Sequence, residues 1–338
     1  MESRYKPLGV FCAFLLVIWM FLPPSTNVVQ EDVPQLVNTE QIYAARLNLG
    51  KDHPLTSIQR ACGDLCNTTR RGLPGPYFDH VTAAVNCRAL FMNEYIDNNH
   101  GLPNAPKRVP EELLEEFTMN KRIPVRYVYY DQQYLGKEAR SSLWKKDQIE
   151  DWISQAKKGR LKGNYGASET NALRDGIAHA AGIKDGRVLV IGSENPWVEA
   201  CVLEAGAKEV VTLEYGRIVS EHPKVKTMVP YEFRMSYLNN TLGEFDAIVT
   251  FSSVEHSGLG RYGDALNPWG DIIAIARAWC VSKQGASLTI GVMYDYDKEY
   301  LQFNGARFYG KIRYPYLTTN WKQVYRGKGG QRVHVFRK

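Results

Sequence analysis

Residues 186–215, GRVLVIGSENPWVEACVLEAGAKEVVTLEY, decide the fold. An apolar run over Arg187–Ile191 stops at Gly192, a helical pattern follows over residues 197–205, and a second apolar run, Glu209–Leu213, ends at Glu214. Short apolar runs bounded by glycine read as buried parallel strands, and the helical segment between them completes a β-α-β unit. An acid at the end of the second strand of such a unit is placed to hold the ribose hydroxyls of an adenosine-containing cofactor. The chain therefore reads as an enzyme.

Outward from that unit the alternation continues. Residues 168–181 read as a helix capped by Ser168, residues 225–229 as a weak third strand, Phe245–Phe251 as a strong fourth, residues 271–279 as a helix and residues 286–292 as a fifth strand. The end breaks the pattern: residues 321–325 and 332–336 are strands separated by Lys328-Gly329-Gly330, a turn signal that predicts an antiparallel hairpin. Five parallel strands closed by such a hairpin resemble the class I S-adenosylmethionine-dependent methyltransferases over residues 164–338. The expected fold is an α/β, Rossmann-like doubly wound sheet with that C-terminal hairpin, preceded by an accessory region and a signal anchor.

The resemblance implies S-adenosyl-L-methionine as cofactor. Gly192, Ser193 and Glu194 match the loop that approaches its methionine part, Glu214 matches the ribose acid, and Ser252 and Ser253 follow the fourth strand at the edge of the crevice. The family's usual loop is an acid followed by G-x-G-x-G. This chain has Val190 in place of the acid and Glu194 and Pro196 in place of the second and third glycines.

GSENPWVEA (192–200), SSVEHSGLGRYGDALNPWGD (252–271) and FNGARFYG (303–310) look like a nematode-rich, methyltransferase-like family catalogued as a domain of unknown function. The resemblance implies sugar O-methylation in the Golgi, with fucose the first acceptor to name. Methylating an alcohol needs the oxygen placed in line with the methyl group and a base for its proton. His256 is the candidate base, with Glu255 or Asp264 as its orienting carboxylate or as the base in its place. Tyr262 and Trp269, in a glycine-rich segment too long for a minimal loop, are candidate rings for a sugar face, and Trp269 reads equally as core. Asn304 and Arg307 are candidate donors to acceptor or cofactor, and Arg307 reads equally as a solvated helix residue.

The 338 residues are 44% hydrophobic with a net charge of +6, enough apolar content for one large core or two smaller ones. Basic residues are scattered and form no long run, which does not point to nucleic acid. Residues 8–22 carry no charge, follow Arg4 and Lys6, and precede no basic residue until Arg46. That flank pattern predicts a signal anchor with the remainder luminal. A cleaved signal peptide and a buried helix are the other readings. The expected divisions are a cytoplasmic tail (1–7), an anchor (8–22), a stem (23–45), a luminal accessory region (46–163) and the methyltransferase-like domain (164–338).

Sequons at Asn67 and Asn239 agree with a lumen. Cys62, Cys66 and Cys87 cluster, which predicts one disulfide among them and leaves Cys201 and Cys280 as buried thiols; zinc with His80 is the rival. In the accessory region, residues 110–119 and 145–158 read as helices, the latter with Ile149, Trp152, Ile153 and Ala156 on one face, and residues 125–130 as a strand. Two other functions compete. Asp295-Tyr296-Asp297 is a D-x-D sequence of the kind Golgi glycosyltransferases use for a metal and a sugar nucleotide, and the eroded glycine loop fits a glycan- or partner-binding pseudoenzyme.

Overall fold

A computed structural model describes residues 49–68, 81–97, 105–130 and 142–338. The tail, anchor and stem, together with Cys12 and His80, lie outside these residues. Among the described residues no helix is long and apolar enough to cross a membrane.

In chain order the strands are Val125–Tyr127 (β1), Ser142–Trp144 (β2), Arg187–Ile191 (β3), Glu209–Leu213 (β4), Ile218–Ser220 (β5), Val225–Met228 (β6), Phe245–Phe251 (β7), Ser282–Val292 (β8), Tyr300–Phe303 (β9), Ala306–Phe308 (β10), Lys322–Arg326 (β11) and Arg332–Arg337 (β12). The apolar runs chosen by pattern are the middle of one seven-stranded sheet, ordered β6-β4-β3-β7-β8-β12-β11. Pairs β6-β4, β4-β3, β3-β7 and β7-β8 are parallel, whereas β12 is antiparallel to both β8 and β11. The expected five parallel strands and hairpin are therefore present. With β12 inserted between β8 and β11, the order is that of a class I methyltransferase sheet.

Alternation along β3 shows why the sheet needs two covers. Val188 and Val190 pack with Leu173, Trp197 and Cys201 on one face, and Leu189 and Ile191 with Phe233, Ile275 and Leu288 on the other. The Gly270–Cys280 helix is apolar on two sides because it is sandwiched: Ile275 and Ala278 face the sheet, while Ile272 and Ile273 face residues such as Leu55, Leu90 and Phe117 of the N-terminal region. The same N-terminal cluster takes in Leu259, Trp269 and Phe303, so it packs over the segments that follow β7 and β8.

Several local expectations change. The helix at Ala167–Ala178 is capped by Gly166 with no side-chain bond, so Ser168 is not the cap. Residues 110–119 split into a 3₁₀ turn, Glu111–Leu113, and a short helix, Leu114–Phe117, and the strand at 125–130 is only Val125–Tyr127. The Lys146–Lys157 helix does bury Ile149 and Ala156 as its pattern predicts. Cys62 pairs with Cys66 inside the expected cluster, but Cys280 is not a thiol: it pairs with Cys87, across a sequence separation of 193. That bridge ties the Cys87–Met92 helix to the end of the Gly270–Cys280 helix, where a pattern search along the chain has nothing to detect. Cys201 stays a buried free thiol, pushed up to about 12 by burial.

Candidate functional site

The crevice lies at the carboxyl ends of β3, β4 and β7, where a doubly wound sheet leaves space for a ligand. β3 ends at Gly192, whose φ of 74° is the left-handed region that glycine tolerates. A Cβ at that position would overlap the Ser253 hydroxyl, so the glycine lets the loops after β3 and β7 touch. Gly192→Ala is expected to cost about 1–3 kcal/mol, the combined penalty of left-handed backbone and displaced Ser253, read as a lowered unfolding midpoint in urea.

From the end of β4, Glu214 reaches back to that loop. Its Oε2 accepts from the Ser193 amide at 2.7 Å and its Oε1 from the Tyr215 amide at 2.7 Å. Burial pushes the carboxyl up, and the amides of Ser193, Tyr215 and Gly216 work against that shift. A carboxylate offers about four acceptor sites, so these amides leave acceptor capacity for a further hydroxyl donor.

Two cavities meet here. One of about 660 Å³ has apolar walls from Ile191, Leu213, Val229 and Phe233, and its far side carries Tyr95, Ile96 and Asp97 of the N-terminal region. The other, about 170 Å³, is lined by Tyr165, Ser193, Glu194, Phe251, Ser252 and His256. Gly192, Glu214, Ser253, Ser257, Tyr262 and Asp264 line both. The larger volume is within the usual range for small-molecule sites.

His256 stands at the smaller cavity. Its Nδ1 is 2.7 Å from the Gly305 carbonyl oxygen, which only accepts, so Nδ1 holds the proton and Nε2 keeps its lone pair. The Tyr262 ring packs edge-on against the imidazole at 5.6 Å. Burial lowers the imidazole to about 4, with Arg261 and Arg307 adding to the shift. The orienting group is thus a backbone carbonyl, and neither Glu255 nor Asp264 takes that role. Asp264 accepts from the amides of Gly258 at 2.6 Å and Tyr262 at 3.3 Å and so pins the loop from within. Glu255 is fully buried, lines neither cavity, and is raised to about 7 by burial against weaker opposing contacts with Ser252 and the Ser253 amide.

Trp269, Asn304 and Arg307 line neither cavity. Trp269 is 0% exposed in the cluster shared with the N-terminal region, so the core reading holds for it. Asn304 accepts from the Tyr130 amide and precedes the carbonyl that holds His256. Arg307 donates to the Ser257 carbonyl at 2.6 Å and lies 3.6 Å from buried Asp271, which Arg313 also grips at 2.7 and 2.9 Å. Arg307, which looked like a ligand donor, instead supports the site from behind by donating to the loop carbonyls of Ser257, Asn267 and Pro268, while Asn304 is used on a backbone amide. Ser252, at φ 49°, accepts from Gln331 in the hairpin turn at 2.9 Å.

The wall formed by Tyr95, Ile96 and Asp97 was absent from the sequence reading. Asp97 pairs with Arg277 at 2.6 Å, and no motif links residues so far apart in the chain. At the D-x-D sequence, Asp295 Oδ1 accepts from the amides of Asp297 and Lys298, and Asp297 faces Lys311 at 3.2 Å. Among the described residues no group of three or more His, Cys, Asp or Glu is arranged to hold a metal.

Residues 185–336, less than half of the chain, match the family described as "Caenorhabditis protein of unknown function, DUF268". No curated protein matches. Among solved structures, similarity extends to the 1,6-didemethyltoxoflavin-N1-methyltransferase of Burkholderia thailandensis at 19% identity and TM-score 0.35, covering 56% of this chain and 86% of that one. An O-methyltransferase from Bacillus cereus aligns at 14% identity and TM-score 0.34, over 61% of this chain and 96% of that one. The N-methyltransferase NodS of Bradyrhizobium japonicum aligns at 15% identity and TM-score 0.34, over 57% and 97%.

Proposed function

We propose that this chain is an S-adenosylmethionine-dependent O-methyltransferase that acts in the Golgi lumen on a sugar hydroxyl of a glycan, fucose first among the acceptors. The observation that carries the reading is Glu214, a carboxylate with unused acceptor capacity at the junction of two cavities beside the Gly192 loop. The residues present fit the cofactor: Glu214 would take a ribose hydroxyl, Ile191, Leu213, Val229 and Phe233 would wall the adenine, and Ser193 and Glu194 would face the methionine end. When bound, the cofactor supplies an electrophilic sulfonium methyl group. The chain's own contribution is to orient the acceptor beside Tyr262 and to take the hydroxyl proton on His256 Nε2, whose tautomer the Gly305 carbonyl fixes. Two disulfides and the exposed Asn239 of the second sequon favour a lumen, where the anchor expected at residues 8–22 would hold the protein.

Titration calorimetry with S-adenosylhomocysteine, beside Glu214→Ala, tests the cofactor site. One charge-assisted hydrogen bond at about 1.5 kcal/mol predicts a loss of about tenfold in affinity. A folded wild type that binds none would end the reading in favour of a glycan-binding protein. Transfer of labelled methyl to fucosylated glycans, compared with their defucosylated counterparts, tests the acceptor.

A further inference from the structure

One buried acid beneath the cofactor loop has no part in the chemistry above. Glu199 lies on the Trp197–Glu204 helix, is 0% exposed, and accepts from Thr212 Oγ1 of β4 at 2.7 Å. Its other oxygen is 2.9 Å from Ser193 Oγ, which also sits 2.8 Å from the Asn195 carbonyl oxygen. Ser193 has one hydroxyl proton for these two neighbours, and the Asn195 carbonyl has none to give. Both short contacts are satisfied only when Ser193 donates to Asn195 and Glu199 itself donates to Ser193.

We infer that Glu199 is a positioning residue held as a neutral carboxylic acid, which pins Ser193 so that its amide is aimed at Glu214 in the cofactor site. Among the described residues no cation contacts either oxygen of Glu199. The groups facing it are the Glu214 carboxylate from the end of β4, which disfavours a second negative charge, and the Cys201 thiol on its own helix. Arg174 lies beyond that thiol, paired with Glu204 at 3.2 Å. Burial raises the Glu199 carboxyl to about 7, against the hydrogen bond donated by Thr212. Ionisation then places a second charge under the loop and removes the proton that bridges to Ser193.

The inference rests on the cofactor reading of the crevice, and the test separates the two. S-adenosylhomocysteine affinity is measured at pH 6 and pH 8 for the wild type, Glu199→Gln and Glu199→Ala, with the thermal midpoint of each without ligand. If only the neutral form is competent, wild-type affinity weakens about tenfold over this interval, in proportion to the neutral fraction. Glu199→Gln, whose amide donates to Ser193 and accepts from Thr212, binds equally at both pH values. Glu199→Ala binds weakly at both. The folded carboxyl is raised above its unfolded value, so its stabilisation is complete below about 4.5 and is lost as pH rises through about 7. The wild-type midpoint therefore falls relative to Glu199→Gln across that window. Wild-type affinity that ignores pH, or full binding by Glu199→Ala, overturns the role of Glu199 alone. A wild type that binds no S-adenosylhomocysteine yet shows the relative fall in midpoint overturns the cofactor reading and the loop-positioning role with it, leaving a neutral acid of the core.

Discussion

Replacing His256 with Ala is expected to lower kcat for methyl transfer by roughly two to four orders of magnitude, the usual contribution of a positioned general base. Affinity for S-adenosylhomocysteine should change by no more than a few-fold, because His256 does not line the larger cavity, whose apolar walls would hold the adenine. The pH dependence gives a second signature. An ordinary imidazole protonates near 6.5, but burial lowers His256 to about 4. The neutral, proton-accepting form therefore dominates down to about pH 5, and the activity of the wild type should show no inflection near 6.5 from this group. Activity within a few-fold of wild type in His256→Ala would remove the residue from the mechanism. A clear acid limb near 6.5 that the variant lacks would show instead that the imidazole is solvated when acceptor is bound.

Asp271→Ala is expected to destabilise the fold by about 3–5 kcal/mol, read as the unfolding midpoint in urea, because it leaves two buried guanidinium groups without their shared anion. Asp271 is 0% exposed, accepts from Tyr309 at 3.0 Å and from Arg313 at 2.7 and 2.9 Å, and faces Arg307 at 3.6 Å. Burial alone would raise its carboxyl, but Arg307 and Arg313 outweigh that and hold it below the ordinary range. The sign follows: with the folded value depressed, the stabilisation is present above about 3.8 and is lost as pH falls further. The same two arginines donate to carbonyls of Ser257 and Pro268 on either side of the glycine-rich loop. Loss of Asp271 should therefore loosen the loop that presents His256 and Tyr262. A variant as stable as the wild type would show that the arginines find other partners.

The Gly192–Glu214 end of the crevice was legible because its residues sit at fixed offsets from strand ends. Gly192 follows β3 and Glu214 follows β4, and parallel pairing of Ile191 with Leu213 brings those ends together whatever else the chain does. The segments that follow β7 and β8 were less legible. Trp269 belongs to the core because the Leu55 and Leu90 helices cover it, and Arg307 belongs to Asp271, 36 residues earlier in sequence and adjacent only after folding. Glu199 escaped notice because an acid on an otherwise apolar helix reads as solvated until Thr212 and Ser193 are seen against it.

Period and punctuation, which are local properties, were enough to determine the parallel strands, the closing hairpin, the turn glycine and the acid at the second strand's end. Tertiary structure alone decided the Cys87–Cys280 bridge, the Asp97 wall, the carbonyl that fixes His256 and the anion shared by two arginines. Each of these joins segments far apart in the chain, and burial forces polar groups to pair with whatever the packing brings within reach. Hydrophobic patterning sets which face of a segment is buried; it does not specify which distant polar group will meet it there.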